Sequence, residues 1–68
     1  MNYMDKLIQI RKERGKTQTE IAAILNTSTQ YYQKYEKGRH PLPIDHLITL
    51  CRYYNISSDW VLGITEEA

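Results

Sequence analysis

Residues 17–38 read TQTEIAAILNTSTQYYQKYEKG, and the second half of that stretch concentrates the groups suited to selective hydrogen bonding. Thr29, Gln30, Tyr31, Gln33 and Lys34 fall within two helical turns, with no acid among them. A glutamine pairs bidentately with the N6/N7 edge of adenine, a threonine methyl packs on that of thymine, and a lysine reaches guanine or phosphate. Tyr31 suits the sugar–phosphate backbone or a role as a cover for the helix. Lys37 and Arg39 flank the turn that follows, where positive charge meets the rim of a groove, and Lys16 is a further cation of that type. The chemistry this pattern favours is recognition of base edges in duplex DNA.

Such residues need two helices to hold them. Thr17 followed three residues later by Glu20 is a capping box: the hydroxyl accepts the Glu20 amide and the carboxylate reaches back to the Thr17 amide. Behind that cap, Ile21, Ala22, Ile24 and Leu25 make one apolar stripe. Ala22 and Ala23 are small enough for a second helix to cross closely. Asn26 tolerates the left-handed conformation at which a helix stops, Ser28 caps the next helix, and Gly38 ends it. Spacing assigns Tyr32 and Tyr35 to the buried side of that second helix. Gln18 sits in the first turn of the earlier helix, where unpaired amides, the positive end of the dipole and the side-chain amide all suit a phosphate.

The rest of the chain frames this pair. A first helix is expected from Met4 to Arg14, with Met4, Leu7, Ile8 and Ile10 as its stripe and Gly15 as its end. Arg11 is the odd member, placed by spacing on or beside the buried face. Residues 38–42 form a turn and Pro43 pre-sets a fourth helix. There Ile44, Leu47, Cys51 and Tyr54 recur, broadened by Ile48 and Leu50, until Asn55. A very short fifth helix starts at Ser57 or Ser58 and carries Trp60, Val61 and Leu62, with Ile56 positioned to staple onto Val61. No alternating strand pattern appears. The expected fold is all-α, a compact bundle of five short helices over residues 1–64, with a short flexible acidic tail at 65–68.

With 68 residues the chain is expected to be one domain with a small core. A single cysteine, Cys51, leaves no disulfide framework and fits a reducing cytoplasm. No membrane-length apolar run and no signal-like N-terminus is visible. The net charge of +1 hides a polarity. Residues 1–42 hold eight basic against four acidic side chains, whereas residues 43–68 hold Arg52 against four acids. One end can face phosphates while the other faces away. Cys51 with His46 or His40 is too sparse and too poorly aligned for a metal or catalytic site, and no cofactor is expected. Tyr32, Tyr35, Tyr54 and Trp60 read as core rather than as a ligand box.

The chain resembles the Cro/phage-repressor-type helix-turn-helix domains, the xenobiotic-response-element family, over nearly its full length. The matching elements are Leu7-x-x-Ile10-Arg11, Lys16-Thr17-Gln18-Thr19-Glu20-Ile21-Ala22 and Tyr35-Glu36-Lys37-Gly38, followed by Arg39, Pro41, Leu47-x-x-Leu50, Ile56-Ser57 and Asp59-Trp60-Val61-Leu62. Asn26 departs from the glycine commonest at the turn. The resemblance implies a lambda-repressor-like fold and sequence-specific DNA binding by a bacterial or phage regulator, usually dimeric, with Gln18 donating to phosphate. It also implies a structural ion pair between Arg11 and Glu36. A buried charge needs a partner, so that pairing has a physical argument of its own.

The resulting expectation is a cytoplasmic, non-enzymatic repressor that binds a two-half-site operator as a homodimer, with helix three, about 28–36, in the major groove. Its DNA-binding residues are Gln18, Thr29, Gln30, Tyr31, Gln33, Lys34, Lys37 and Arg39. Val61 and Ile64 are expected to form the dimer interface, because Trp60 and Leu62 are assigned to docking the fifth helix. With no sensing domain expected, regulation falls to concentration, proteolysis or a protein partner such as a toxin or antirepressor. Two alternatives stay open: the antitoxin of a toxin–antitoxin pair, and a protein-interaction module that keeps the fold without binding DNA.

Overall fold

The structure, a computed structural model, describes residues 3–66. Five helices follow one another: α1 (Tyr3–Glu13), α2 (Gln18–Ile24), α3 (Thr29–Glu36), α4 (Ile44–Tyr54) and α5 (Ser58–Val61). Their starts are set by side-chain caps. Thr17 and Glu20 form the reciprocal box at α2, Ser28 accepts the Tyr31 amide at α3, and Ser57 accepts the Trp60 amide at α5. Pro43 takes the cap position of α4, just outside the first turn, and its apolar ring makes no capping hydrogen bond.

All five helices end in the same way. A residue with positive φ follows each, at Gly15, Asn26, Gly38, Asn55 and Gly63. Each of these amides bonds back three residues and the next bonds back five, as in Thr27 N–H to the Ala22 carbonyl at 2.9 Å. That is the Schellman arrangement, which satisfies carbonyls the helix leaves unpaired. Asn26 does at the tight turn between α2 and α3 what glycine does elsewhere, at φ 58°.

The core gathers Met4, Leu7 and Ile10 of α1, Ile21, Ala22 and Leu25 around α2, and Tyr32 and Tyr35 of α3. It is completed by Leu42, by Leu47, Leu50, Cys51 and Tyr54 of α4, and by Val61 of α5. Ala22 is buried where α2 meets α3, while Ala23 is exposed, so only one of the two small residues serves the crossing. The Tyr3 hydroxyl accepts the Leu42 amide at 3.2 Å and ties the 38–43 turn to α1. Lys6 donates to the Trp60 carbonyl at 2.7 Å and lies 5.1 Å from the Trp60 ring centroid, clamping α5 onto α1.

Two expectations change. Ile44 and Ile48 are exposed, at 66% and 43%. At 3.6 residues per turn they lie roughly 80° and 120° round α4 from Tyr54, on the flank of the buried stripe. Val61 is buried in the core and so offers no surface for dimerisation, whereas Leu62 is 49% exposed. Four-residue α5 turns Val61 inward with half-buried Trp60, and Leu62 follows at its cap. Ile64 is exposed, at 72%, as expected. Of the expected tail, the Thr65 amide bonds to the Asp59 carbonyl and Glu66 is exposed, while Glu67 and Ala68 lie outside the described residues. No helix among the described residues is long and apolar enough to cross a membrane.

Candidate nucleic-acid interface

Three residues of α3 at i, i+4 and i+7, Thr29, Gln33 and Glu36, line one edge of the helix. Each is met by a group from an earlier part of the chain. The Thr29 hydroxyl donates to that of Thr19 at 3.2 Å, and Gln33 Nε2 donates to Gln18 Oε1 at 3.0 Å. Glu36 accepts from Arg11 Nε at 2.7 Å and Nη2 at 3.2 Å. It also accepts from Gln18 Nε2 at 2.9 Å and from the Tyr32 hydroxyl at 2.6 Å. The remaining reach of Arg11 goes to the Lys16 carbonyl at 2.9 Å. This edge fixes α3 against α1 and the start of α2.

The Arg11 and Glu36 side chains are only 10% and 7% exposed. Burial pushes the Glu36 carboxyl up, but donors from Tyr32, Gln18 and Arg11, with the Arg11 charge, hold it below the usual glutamate range. Burial also opposes the Arg11 charge, and the hydrogen bonds and charge of Glu36 outweigh it, so Arg11 is shifted up. Desolvation and its bond to Glu36 push the Tyr32 hydroxyl far up, so it stays a donor.

Opposite this anchored edge α3 faces outward. Gln30, Tyr31 and Lys34 are exposed, as are Lys37 and Arg39 just beyond the helix. Thr29 and Gln33 are half-buried because α2 covers one side of each. Tyr31 stacks on His40 with ring centroids 5.6 Å apart and planes 3° from parallel. The Lys34 ammonium lies 5.4 Å from the Tyr31 centroid, and Tyr35 meets that ring edge-on. Gln30 and Lys34 therefore occupy the centre of the outward face, with the stacked Tyr31–His40 pair on one flank and half-buried Gln33 on the other. Lys16 is half-buried at the other margin.

The expected site residues thus assemble on one side, with two differences in role. Gln18 is turned inward: one N–H is committed to Glu36 and its carbonyl to Gln33, so its amide is not simply a donor awaiting phosphate. Thr29 spends its hydroxyl proton on Thr19, leaving its methyl as the more available recognition element. Sequence reasoning missed His40, whose stacking on Tyr31 depends on the path of the 38–43 turn, and the Gln18–Gln33 bond, which joins residues on separate helices. Cys51 is buried, and burial pushes its thiol up, which suits packing and not nucleophilic chemistry.

The sequence matches the helix-turn-helix family over residues 7–61. It is 32% identical over 65 residues to the uncharacterized HTH-type transcriptional regulator YobD of Bacillus subtilis (strain 168), covering 96% of this chain and 58% of that protein. It is 33% identical over 66 residues to the HTH-type transcriptional regulator ImmR of the same strain, covering 97% and 52% respectively. The fold matches the crystal structure of a transcriptional regulator from Listeria innocua with a TM-score of 0.84 and 30% identity, covering 98% of this chain and 63% of that one. The chain therefore spans about half the length of the curated relatives it matches.

Proposed function

The chain belongs to the helix-turn-helix family, of the Cro/phage-repressor type, and from that premise we propose that it is a sequence-specific, DNA-binding transcriptional regulator of the cytoplasm, acting as a repressor. In this reading α3 enters the major groove, Gln30 and Gln33 read base edges, the Thr29 methyl packs beside them, and Lys34 reaches guanine or phosphate. Lys37, Arg39 and Tyr31 hold the backbone on either side. The relatives' names, HTH-type transcriptional regulators, support the same reading.

The observation that carries it is the contrast between the two sides of α3. One edge is pinned by a buried ion pair and two amides, while the other shows Gln30, Tyr31 and Lys34 to solvent without an acid among them. A solvated bundle helix has no need of such fixed polar groups. Two molecules would pair through Leu62 and Ile64, the exposed apolar residues at the end of α5.

Two substitutions separate reading from holding. Gln30→Ala should weaken the best operator by about 1–3 kcal/mol and leave unrelated DNA nearly unaffected. Arg39→Ala should weaken all sequences alike and reduce the salt slope by about one unit. Equal losses for both variants on every sequence would remove α3 as the reader.

A further inference from the structure

We infer that Gln18 is a positioning residue that fixes the orientation of the Gln33 amide, so that the charge on Glu36 sets which base edge Gln33 reads. The inference rests on the proposal that α3 reads DNA, and it assigns Gln18 a role other than phosphate binding.

The argument is one of donor and acceptor polarity. An ionised carboxylate only accepts, and it has about four lone-pair sites. Glu36 is held in its ionised form, and its four sites are met by Arg11 twice, by Tyr32 and by Gln18. Gln18 therefore has to turn its NH2 group toward Glu36; the opposite orientation would set a carbonyl oxygen against a carboxylate. Its own carbonyl is then left facing Gln33, 3.0 Å from Nε2. A carbonyl also only accepts, so Gln33 in turn has to present its NH2 inward. The direction of two successive amides follows from one buried charge.

The consequence lies at the outer end. Gln33 keeps its carbonyl oxygen and its second N–H for a ligand, in a fixed order. An acceptor beside a donor matches the N6 amino group and N7 of adenine. A freely rotating glutamine presents this edge in either sense and loses rotamer freedom when it binds; here α2 holds one sense before DNA arrives. The neighbouring Thr19–Thr29 bond stitches the same edge of α3, so the backbone carrying Gln33 is fixed as well.

Gln18→Met tests this, since methionine keeps the length and helix propensity but has no amide. The DNA readout is preference at each base pair, measured with single-substitution operator variants. A good bidentate contact discriminates about 5- to 150-fold. Gln18→Met should reduce the preference at one base pair at least about fivefold, at the same position as Gln33→Ala, and the double variant should lose little more. Uniform loss across all sequences would overturn the inference and make Gln18 a backbone contact. A second readout needs no DNA. In free wild-type protein the Gln33 side-chain NH2 resonances should be displaced from free-amide values, with slowed proton exchange, and in Gln18→Met they should return to them. Free-amide values in the wild type would overturn the inference whatever α3 binds. A chain that binds no DNA yet shows the displaced Gln33 amide would instead defeat the proposed function and leave the positioning role standing.

Discussion

At Glu36 a charge and three helices meet in one side chain. It is mostly buried with Arg11, and taking away either partner strands the other's charge. Glu36→Ala should cost on the order of 3 kcal/mol at neutral pH, read as a lower thermal midpoint. The pH dependence follows from the downward shift of its carboxyl. Because the folded pKa lies below the unfolded one, the unfolded chain binds the proton first as pH falls. The contribution of Glu36 is complete above the ordinary glutamate value of about 4.3 and drains away as pH drops from there through the lowered folded value. Melting followed from pH 7 to pH 3 should show that acid limb in the wild type and a flatter one in Glu36→Gln. Parallel limbs would mean that the carboxylate gains nothing from its partners.

The elements owe their boundaries to a few polar residues at their ends. Thr17 closes the box that starts α2 and so places Gln18 and Thr19 opposite α3. Loss of such a cap costs about 1 kcal/mol, which in a domain of this size lowers the midpoint by about 4–8 °C. Thr17→Ala should show that drop and Thr17→Ser little of it; equal midpoints would mean that the box does not hold α2. These ends were legible in the sequence because caps and left-handed stops are local chemistry, as Ser28, Asn26 and Asn55 illustrate. Spacing also identified Tyr32 and Tyr35 as buried. It failed where burial depends on a neighbour's position: Ile44 and Ile48 share the apolar character of α4 yet lie beyond the width of core that α4 covers. In α5, four residues are too few for periodicity to tell Val61 from Leu62. The site divides similarly. The exposure of Gln30, Lys34, Lys37 and Arg39 was readable from type and position, whereas the bonds of Gln18 to Glu36 and Gln33 were not, because those partners come from elsewhere in the chain.

At the scale of the whole fold, the described residues span about 31 × 23 × 19 Å, and the proposed pairing has to set two copies of α3 about one turn of duplex, ~34 Å, apart. The basic excess of residues 1–42 is partly used internally, since Arg11 pairs with Glu36 and Lys6 clamps Trp60. Exposed Lys34, Lys37 and Arg39 cluster at α3 and the turn after it, where the proposed reading needs cations for phosphates. Residues 43–66 carry Asp45, Asp59 and Glu66 against Arg52, and exposed Leu62 and Ile64 lie near Glu66 in the chain, so the proposed dimer should be weak alone and tighten on DNA. Selection of bound sequences from a random duplex pool, with the purified wild type and with Ile64→Asp, tests the reading face and the pairing together. The wild type should enrich two related half-sites in inverted orientation about one helical turn apart, and Ile64→Asp should enrich the same half-site with the fixed spacing lost. A pool that stays random after repeated rounds with folded wild-type protein would contradict the central claim that α3 reads DNA.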